Sequence, residues 1–316
     1  MITFPMKELI TLLTDTEPFK KDFVLSEGNA SFSETLFNYS LHRLFRGIRH
    51  PEKDIKLLCC GDVYYPASET CTGGILGFYT MALMLLRKRT IVFNHLEKRM
   101  PEYFSLYTYL ADKKGILSHY NIYWSPADST GAGAHTDDHD VVIVQLAGKK
   151  KWKFEHEDIT LKAGDILFVR KGTLHNPVTE DGHQSLHLTV GLVYGVSSFP
   201  VFPEPACVED HAGDISAVEF FRSMGNLLGG TEPVLHTGQD VLPDEGNSYI
   251  RFTYKENALE LTKEVFHHIF ERRSLNNFSV RPGADRKDVI NIILSFYKTG
   301  IPVVIGAAPV EIKGTS

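Results

Sequence analysis

Two histidines and one aspartate in this sequence could bind a metal ion. His135 and Asp137 are separated by one residue, and His175 ends the segment that starts at Gly164. Two imidazoles and one carboxylate suit a divalent first-row metal, and without a fourth protein ligand they leave neighbouring coordination positions open, as in non-haem Fe(II) centres. A His-x-Asp spacing alone also fits an ordinary surface or core pair, so the interpretation depends on the elements around it.

Strand periodicity would bring these three side chains together. Because successive side chains of a strand point to opposite faces, His135 and Asp137 would project to the same side. Gly164–Val169 is typical of a turn that enters a short apolar strand, and Gly172 then bends the chain before His175. Such a strand would carry the third ligand back to the first two.

Lys150 is unusual because it is predicted to lie on an apolar face. Val141–Leu146 is an apolar strand that leads into a turn at Ala147-Gly148-Lys149. Lys150–Phe154 is predicted to return as a strand in which Lys150, Trp152 and Phe154 share one face. An ammonium group on such a face is costly to desolvate unless an anion meets it. A bound dicarboxylate cosubstrate is one candidate for that anion; the alternatives, which are the usual ones for an interior lysine, are that Lys150 snorkels to solvent or pairs with a distant acid.

Two further strands could line a cavity with polar side chains. Ser185–Gly191 alternates, so that His187 and Thr189 lie on a polar side opposite an apolar one. That polar side either faces water or lines a cavity. Asn121 and Tyr123, on the strand before the possible metal ligands, either line the same cavity or pack within a barrel.

The order of these motifs resembles that of a known family. The segments His135–Trp152, Gly164–His175 and Ser185–Thr189 are similar to those of the Jumonji-C (JmjC) ribosomal oxygenases of the cupin superfamily. The resemblance runs from residue 20 to residue 200 and is looser beyond. It implies a mainly β fold with helices, in which a double-stranded β-helix, or jelly-roll, forms the catalytic domain. Arg170 stands where the family commonly has proline.

The resemblance also implies a cofactor set and the residues that hold it. Fe(II) would be bound by His135, Asp137 and His175. The cosubstrate would be 2-oxoglutarate, with Lys150 on its distal carboxylate and O2 as the second cosubstrate. Asn121 and Thr189 would also touch the cosubstrate.

The expected function is hydroxylation of an amino-acid side chain of a protein or peptide by a 2-oxoglutarate-dependent dioxygenase, with a ribosomal protein as one candidate substrate. Two other enzyme classes would use the same metal site: a tailoring hydroxylase of a small molecule or peptide natural product, and an N-methyl demethylase that releases formaldehyde. A third alternative is a cupin that serves as a binding module without turnover. The complete set of metal ligands and Lys150 argues against that module.

Composition gives weaker constraints. A net charge of −6 over 316 residues leaves no basic footprint for nucleic acid and slightly favours a basic protein substrate. No Cys-x-x-Cys spacing or disulfide framework is present, which fits a reducing cytoplasm; the cysteines are Cys59, Cys60, Cys71 and Cys207. The N-terminus does not resemble a secretion signal, and the longest apolar stretch, Ile75–Leu86, is too short to cross a bilayer. We therefore expect a cytoplasmic protein with no membrane partner.

The sequence predicts two domains, a catalytic domain at 1–205 and a C-terminal domain at 206–316. Residues 1–50 are expected to be mainly helical, and the proline-rich segment 199–205 marks the boundary. Between them we predict strands at Ile55–Leu58 and Thr90–Phe93 and helices at Gly77–Arg87 and Glu102–Asp112.

The C-terminal domain shows two apolar stripes at helical spacing. One comprises Ala258, Leu261, Val265 and Ile269, and the other Val289, Ile292, Ile293 and Phe296. Ile301–Ile305 is then predicted to be a strand. The family resemblance implies a helical dimerisation segment and a small winged-helix-like C-terminal region, and hence a homodimer. The alternative is a plain helical cap on the barrel.

Overall fold

The structure is a computed structural model that describes most of the chain. The described residues are 4–15, 17–26, 28–45, 55–65, 71–72, 75–76, 78–180, 182–196, 198–205, 217–228, 233–237, 241–246, 248–274, 276–299 and 301–307. The chain forms two compact units, Met1–Ala212 and Gly213–Ser316. No helix in these described ranges is long and apolar enough to cross a membrane.

The first unit combines four helices with twelve strands in its described part. The helices are α1 (Met6–Thr14), α2 (Ala30–Phe45), α3 (Phe78–Leu86) and α4 (Pro101–Lys114). The strands are β1 (Phe23–Ser26), β2 (Ile55–Cys59), β3 (Asp62–Tyr64), β4 (Cys71–Thr72), β5 (Ile75–Leu76), β6 (Thr90–Phe93), β7 (Ile116–Ser125), β8 (Asp140–Lys153), β9 (Asp158–Lys162), β10 (Ile166–Val169), β11 (Asn176–Val178) and β12 (Ser185–Tyr194). The predicted strands that begin at Ile55 and Thr90 are confirmed, as is the helix predicted at Glu102–Asp112. The helix predicted at Gly77–Arg87 is observed over Phe78–Leu86, and Gly77 lies outside the described residues.

Ten of these strands form one antiparallel sheet, which fits the predicted jelly-roll. Its order is β1-β10-β8-β12-β7-β6-β2-β3, and β9 and β11 both pair with the C-terminal half of β8. The N-terminal half of β8 pairs instead with β10 and β12. Strand β8 therefore pairs with different strands along its two halves, and residues of both halves line the interior of the barrel.

The predicted hairpin at 147–149 is wrong, because β8 runs continuously from Asp140 to Lys153. The strand bends at Gly148, whose φ is +68°. A Cβ at Gly148 would lie 1.8 Å from the carbonyl oxygen of Gln184, so no other residue fits there without a shift of the backbone. The prediction that Lys150 and Trp152 share one face of the strand is still confirmed, because both side chains are buried.

The expectation that His135 and Asp137 lie on one regular strand is also wrong. Strand β8 begins at Asp140, and His135 takes part only in an isolated antiparallel bridge with His175. Asp137 lies between that bridge and β8. The side chains of His135 and Asp137 therefore both face the cavity described below, although the residues do not lie on a regular strand.

The polar side of β12 lies inside the protein. Ser185 is 0% exposed and His187 is 2% exposed, while the apolar side chains between and beyond them are buried on the other face. The alternative in which this side faces water is therefore wrong for these residues.

Arg170 uses a backbone group that proline lacks. Its N–H donates to the carbonyl oxygen of Asp22 at 2.8 Å, which continues the pairing of β1 with β10. A proline has no N–H to donate, so Arg170 provides one hydrogen bond at the barrel edge that a proline could not provide.

The second unit contains more strands than the sequence predicted. Its described elements are α5 (Ala217–Leu228), β13 (Pro233–Thr237), β14 (Leu242–Glu245), β15 (Tyr249–Tyr254), β16 (Asn257–Thr262), α6 (Lys263–Ile269), β17 (Phe270–Ser274), β18 (Asn277–Val280), α7 (Arg286–Thr299) and β19 (Val303–Ala307). The strands form a four-stranded sheet, β17-β18-β13-β19, and a three-stranded sheet, β14-β15-β16. Phe252 packs against Phe266, Phe278 and Phe296 in the core of this unit.

One of the two predicted helical stripes is wrong. Ala258 and Leu261 lie on β16, and only Val265 and Ile269 lie on a helix, α6. The stripe that begins at Val289 is confirmed, because all four of its residues are buried on α7. The predicted strand at Ile301–Ile305 is shifted to Val303–Ala307. The winged-helix-like ending stays a prediction.

Candidate metal centre

The backbone brings His135 and His175 side by side. Each residue donates its N–H to the carbonyl oxygen of the other at 3.0 Å. The carbonyl oxygen of Asp137 accepts the N–H of Gly172 at 2.9 Å, and Gly172 has the positive φ, +81°, that lets the chain turn toward His175. Backbone hydrogen bonds thus join two segments that are about forty residues apart in sequence.

Both imidazole rings are oriented by backbone carbonyls. The Nδ1–H of His135 donates to the oxygen of Gly133 at 2.9 Å, and the Nδ1–H of His175 donates to the oxygen of Thr173 at 3.0 Å. These bonds fix the tautomer that leaves Nε2 as a free electron-pair donor, which is how metal-binding histidines are commonly held.

The free nitrogens face the carboxylate of Asp137. Nε2 of His135 lies 4.0 Å from Oδ1 of Asp137, and Nε2 of His175 lies 3.6 Å from Oδ2. The three ligand atoms lie within 4.8 Å of one another. Metal–ligand bonds of about 2.1 Å allow two atoms on one ion to lie up to about 4.2 Å apart, so a single ion can reach all three after small adjustments.

Burial keeps His175 in the form that binds metal. The residue is 3% exposed, and its burial lowers its pKa, with a further contribution from nearby His135. A neutral imidazole is the species that coordinates a metal ion. The predicted metal ligands therefore lie together in a geometry that fits a divalent ion.

A cavity of about 130 Å³ opens beside this triad. It is lined by the triad itself, by Lys150 and Trp152 of β8, and by polar side chains of two paired strands. Those side chains are His119, Asn121 and Tyr123 of β7 and His187 and Thr189 of β12. Asn121 is directly opposite Thr189 in the strand register. Both residues thus line the cavity, as predicted, whereas their contact with a cosubstrate remains a prediction.

Lys150 is a buried cation without an acidic partner among the described residues. It is 2% exposed, so it does not snorkel, and its Nζ donates to Oγ of Ser125 at 2.7 Å. Thr90 donates a second hydrogen bond to the same Oγ at 3.0 Å. Burial lowers the pKa of Lys150 to about 7. The end of the cavity at Lys150 therefore lacks the negative charge that would stabilise the protonated form.

The neighbouring lysines of β8 lie at the protein surface. Lys151 and Lys153 form ion pairs with Glu180, at 3.0 Å for Lys153, and Lys149 is exposed. This contrast separates Lys150 from the rest of the run and matches the alternation that the sequence predicted.

An aromatic wall lies next to Lys150. His187 stacks on Tyr123 with ring centroids 4.9 Å apart and an angle of 5° between the planes, and Trp152 meets His187 edge-on at 5.8 Å. Burial, with a smaller effect from the charge of Lys150, lowers the pKa of His187 far below its usual value. In the described part of the chain, Nδ1 of His187 and Nε1 of Trp152 have no hydrogen-bond partner. Two polar atoms of this wall are therefore left for a bound molecule or water to satisfy.

His119 also lines the cavity and was not identified from the sequence. Its ring meets that of His139 at 4.5 Å, and both rings cover Gly191, where a Cβ would lie 2.1 Å from the imidazole of His119. Burial and the neighbouring His139 lower the pKa of His119 to about 4. The same alternation that selected Asn121 and Tyr123 on β7 could have found His119, which lies two residues before Asn121. The Nδ1 atom of His139 pairs with the exposed Asp138 at 2.7 Å.

The segment that contains this site is similar to a known domain family. A JmjC domain matches residues 99–157 and 154–198. Ribosomal oxygenase 2 of Rattus norvegicus is 31% identical over 172 residues, which cover 43% of this chain and 37% of that protein. The bifunctional lysine-specific demethylase and histidyl-hydroxylase NO66 is 30% identical over 97 residues in Drosophila erecta (23% of this chain, 15% of that protein) and 37% identical over 95 residues in Dictyostelium discoideum (22% and 18%). The chain thus matches between 15% and 37% of the length of these relatives.

Solved structures with partial similarity include cupin proteins. One is a cupin-2 domain containing protein from Shewanella frigidimarina, with 20% identity, a TM-score of 0.21, and coverage of 23% of this chain and 68% of that one. Another is a cupin-like protein from Thermotoga maritima, with 11% identity, a TM-score of 0.23, and coverage of 33% and 68%. These scores are too low to add to the strand topology described above.

Proposed function

We propose that the chain is an Fe(II)- and 2-oxoglutarate-dependent oxygenase that hydroxylates an amino-acid side chain of a protein or peptide, because residues 99–198 match a JmjC domain and the relatives found include ribosomal oxygenases. The observation that carries the proposal is the pairing of two sites in one cavity. Three metal ligands face one another, and a buried lysine without a carboxylate partner lines the same cavity. A structural ion-pair lysine would have its acid beside it.

Each group in the cavity has a separate task in this proposal. His135, Asp137 and His175 hold the metal on one side and leave its remaining positions open. When bound, Fe(II) and 2-oxoglutarate supply the oxidising chemistry that the amino-acid side chains cannot supply. The ammonium of Lys150, oriented by Ser125, binds the distal carboxylate of the cosubstrate. Asn121 on β7 and Thr189 on β12 are proposed to contact the cosubstrate as well.

The walls of the cavity exclude water from the reacting atoms. Trp152 and His187 are almost completely buried, and the stack of His187 on Tyr123 closes the side next to Lys150. Removing water strengthens the attraction between Lys150 and a carboxylate, because the local dielectric constant falls.

Affinity for 2-oxoglutarate is expected to fall as the pH rises above 7. The free site binds the anion when Lys150 is protonated, and the pKa of Lys150 in the empty cavity is about 7. Above that pH, binding must take up a proton, so the affinity should decrease by up to about tenfold per pH unit. Calorimetry with Mn(II)-loaded protein between pH 7 and 9 measures this slope.

Lys149→Met is the matched control for the pH experiment, because Lys149 is exposed on the opposite face. It should keep the slope of the parent, whereas Lys150→Met should bind weakly and without a slope. An affinity of the parent that stays constant from pH 7 to pH 9 would contradict the role of Lys150.

Turnover tests the function itself. Purified protein with Fe(II), O2 and 2-oxoglutarate should convert the cosubstrate to succinate when cell-extract proteins are added, and mass spectrometry should find one added oxygen atom on a protein or peptide. Formaldehyde release would favour the demethylase instead, and oxygenation of a small molecule would favour the tailoring enzyme. No succinate under any condition would favour the binding module.

A ribosomal protein is the first substrate to test. Relatives of the chain carry the names ribosomal oxygenase and histidyl-hydroxylase, and the net charge of −6 favours a basic polypeptide. Purified ribosomal proteins should therefore be modified at lower concentration than acidic proteins of similar size. Equal modification of ribosomal and acidic proteins would contradict a preference for basic substrates.

We further propose that the full chain is a homodimer through the C-terminal region at 206–316, where the family resemblance predicts a helical dimerisation segment and a winged-helix-like ending. A two-fold interface would bring the same patch of each protomer together. Light scattering should give twice the mass of one chain, and a protein that ends at Pro205 should lose the dimer. A monomer at all concentrations would reject the proposal.

A further inference from the structure

Two adjacent cysteines lie at the turn between β2 and β3. Cys59 ends β2 and is partly buried, whereas Cys60 is exposed in the turn. Their Sγ atoms are 3.6 Å apart, and the backbone of Cys60 is left-handed with φ +56°. Two thiols in contact near the surface, one of them exposed, form a pair that an oxidant can reach.

We propose that Cys59 and Cys60 are a peroxide-oxidation site that closes into a disulfide between adjacent residues, and that this closure weakens divalent-metal binding at the triad of His135, Asp137 and His175. The second half rests on the proposed function, because it takes the triad to be a metal site. The oxidant is hydrogen peroxide or an organic hydroperoxide.

The reaction balances as two successive displacements. The thiolate of Cys60 attacks one peroxide oxygen, the O–O bond breaks, and a sulfenic acid and one water form. The sulfur of Cys59 then attacks the sulfenic sulfur, the S–O bond breaks, and the second water leaves with the thiol proton. Two thiols and one H2O2 become one disulfide and two waters, so the two electrons that reduce the peroxide come from the two sulfurs.

The surroundings of the two cysteines indicate which sulfur reacts first with peroxide. A hydrogen bond with Cys60, together with partial burial, raises the pKa of Cys59. Peroxide reaches the exposed Cys60 before the partly buried Cys59, and the sulfur of Cys59 lies 3.6 Å from that of Cys60, where it can attack the sulfenic acid.

A disulfide between adjacent residues is easily reversed. Adjacent Cα atoms are about 3.8 Å apart, which is shorter than the usual span of about 4.4–6.8 Å between the Cα atoms of a disulfide. The resulting strain makes the bond easier to reduce. Such a bond is suited to a reversible modification rather than to stabilising the fold.

The turn is in direct contact with the loop that orients a metal ligand. The N–H of Gly61, the residue after Cys60, donates to the oxygen of Gly131 at 3.2 Å. A Cβ at Gly133 would lie 3.2 Å from the Cα of Gly61, so turn and loop pack closely. The oxygen of Gly133 accepts the Nδ1–H of His135. Formation of the disulfide between Cys59 and Cys60 changes the backbone at Cys60. This change displaces the loop whose Gly133 carbonyl oxygen orients the ring of His135.

The size of the effect follows from the role of that carbonyl. Loss of a hydrogen bond that orients a metal-binding histidine typically lowers metal affinity by about 10–100-fold. We expect the oxidised protein to bind Mn(II) more weakly than the reduced protein by this factor, and dithiothreitol to restore the affinity.

The experiment combines mass spectrometry with calorimetry on the full chain. Reduced, metal-free protein is treated with hydrogen peroxide, desalted, alkylated with N-ethylmaleimide and digested. The peptide that contains Cys59 and Cys60 should have lost two hydrogens and should carry no alkyl group. Mn(II) affinity is then measured on the unalkylated oxidised protein. Cys60→Ser cannot close the ring and should keep its Mn(II) affinity after the same treatment, and Cys59→Ser serves as the second control.

Four results would overturn the proposal. Alkylation of both cysteines after peroxide treatment, or a disulfide between two chains, would reject the ring. A closed ring with unchanged Mn(II) affinity would reject its coupling to the metal site, as would an equal loss of affinity in Cys60→Ser. If even the reduced parent bound no Mn(II), the metal half would fail together with the proposed function, whereas the mass measurement would still decide the oxidation site.

Discussion

Asp137→Ala is expected to abolish tight binding of Fe(II) while leaving the protein folded. The substitution removes the anionic member of the triad and leaves two neutral imidazoles, so the loss should exceed the roughly 100-fold upper range seen when only a supporting group is removed. The backbone carbonyl of Asp137, which accepts the N–H of Gly172, is retained in alanine. Calorimetry under anaerobic conditions measures the affinity, and circular dichroism measures the fold.

Asp138→Ala is the matched control for this variant. The side chain of Asp138 is 95% exposed and pairs with His139 rather than with the triad. Metal affinity should therefore stay within a few-fold of that of the parent. If Asp137→Ala bound Fe(II) as tightly as Asp138→Ala, the assignment of the metal site would be wrong.

Lys150→Met is expected to stabilise the ligand-free protein and to weaken 2-oxoglutarate binding. Burial lowers the pKa of Lys150 from 10.5 to about 7. Since one pKa unit corresponds to about 1.4 kcal/mol, the buried ammonium costs on the order of 4 kcal/mol of the free energy of unfolding near pH 7. Methionine fills a similar volume without a charge, so chemical denaturation of the first unit should show a higher midpoint.

The pH dependence of stability identifies the cause. Because the folded pKa is lower than the unfolded one, the unfolded chain binds more protons between pH 7 and pH 10.5. The parent should therefore gain stability as the pH rises through this window from its low value at and below pH 7. Lys150→Met should lack this contribution, so the difference between the two proteins should shrink toward pH 10.5.

The loss of function in the Lys150 variants should be large. A desolvated, charged hydrogen bond contributes about 1.5–3 kcal/mol, so Lys150→Met and Lys150→Ala should raise the 2-oxoglutarate requirement by roughly tenfold to more than a hundredfold. Lys149→Ala and Lys151→Ala should not. Lower stability with unchanged cosubstrate affinity would instead make Lys150 a structural residue that supports Ser125.

The sequence predicted those parts of the site that depend on alternation. Lys150 shares a buried face with Trp152, and Asn121 and Thr189 meet across neighbouring strands, as a period of two residues requires. The triad was found from residue types that suit one class of metal. The reason His135 and His175 meet could not be predicted, because their bridge depends on backbone hydrogen bonds between distant segments.

The incorrect predictions have local causes. Gly148 was interpreted as a turn residue, whereas the close approach of Gln184 requires a glycine there within a continuous strand. Ala258 and Leu261 match a helical spacing by coincidence, and the buried residue of that strand is Leu259, between them. Short strands next to short helices produce apolar residues at spacings that fit either period.

The bridge between His135 and His175 also makes the backbone a reporter of metal occupancy. The two amide protons are each bonded to the carbonyl of the other ligand residue, so both become exchangeable with solvent only when the two segments separate. An ion that binds both imidazoles opposes this separation by an amount that grows with the logarithm of its concentration over its dissociation constant. Hydrogen-exchange rates at these two amides therefore measure metal binding without a spectroscopic label, a substrate or turnover.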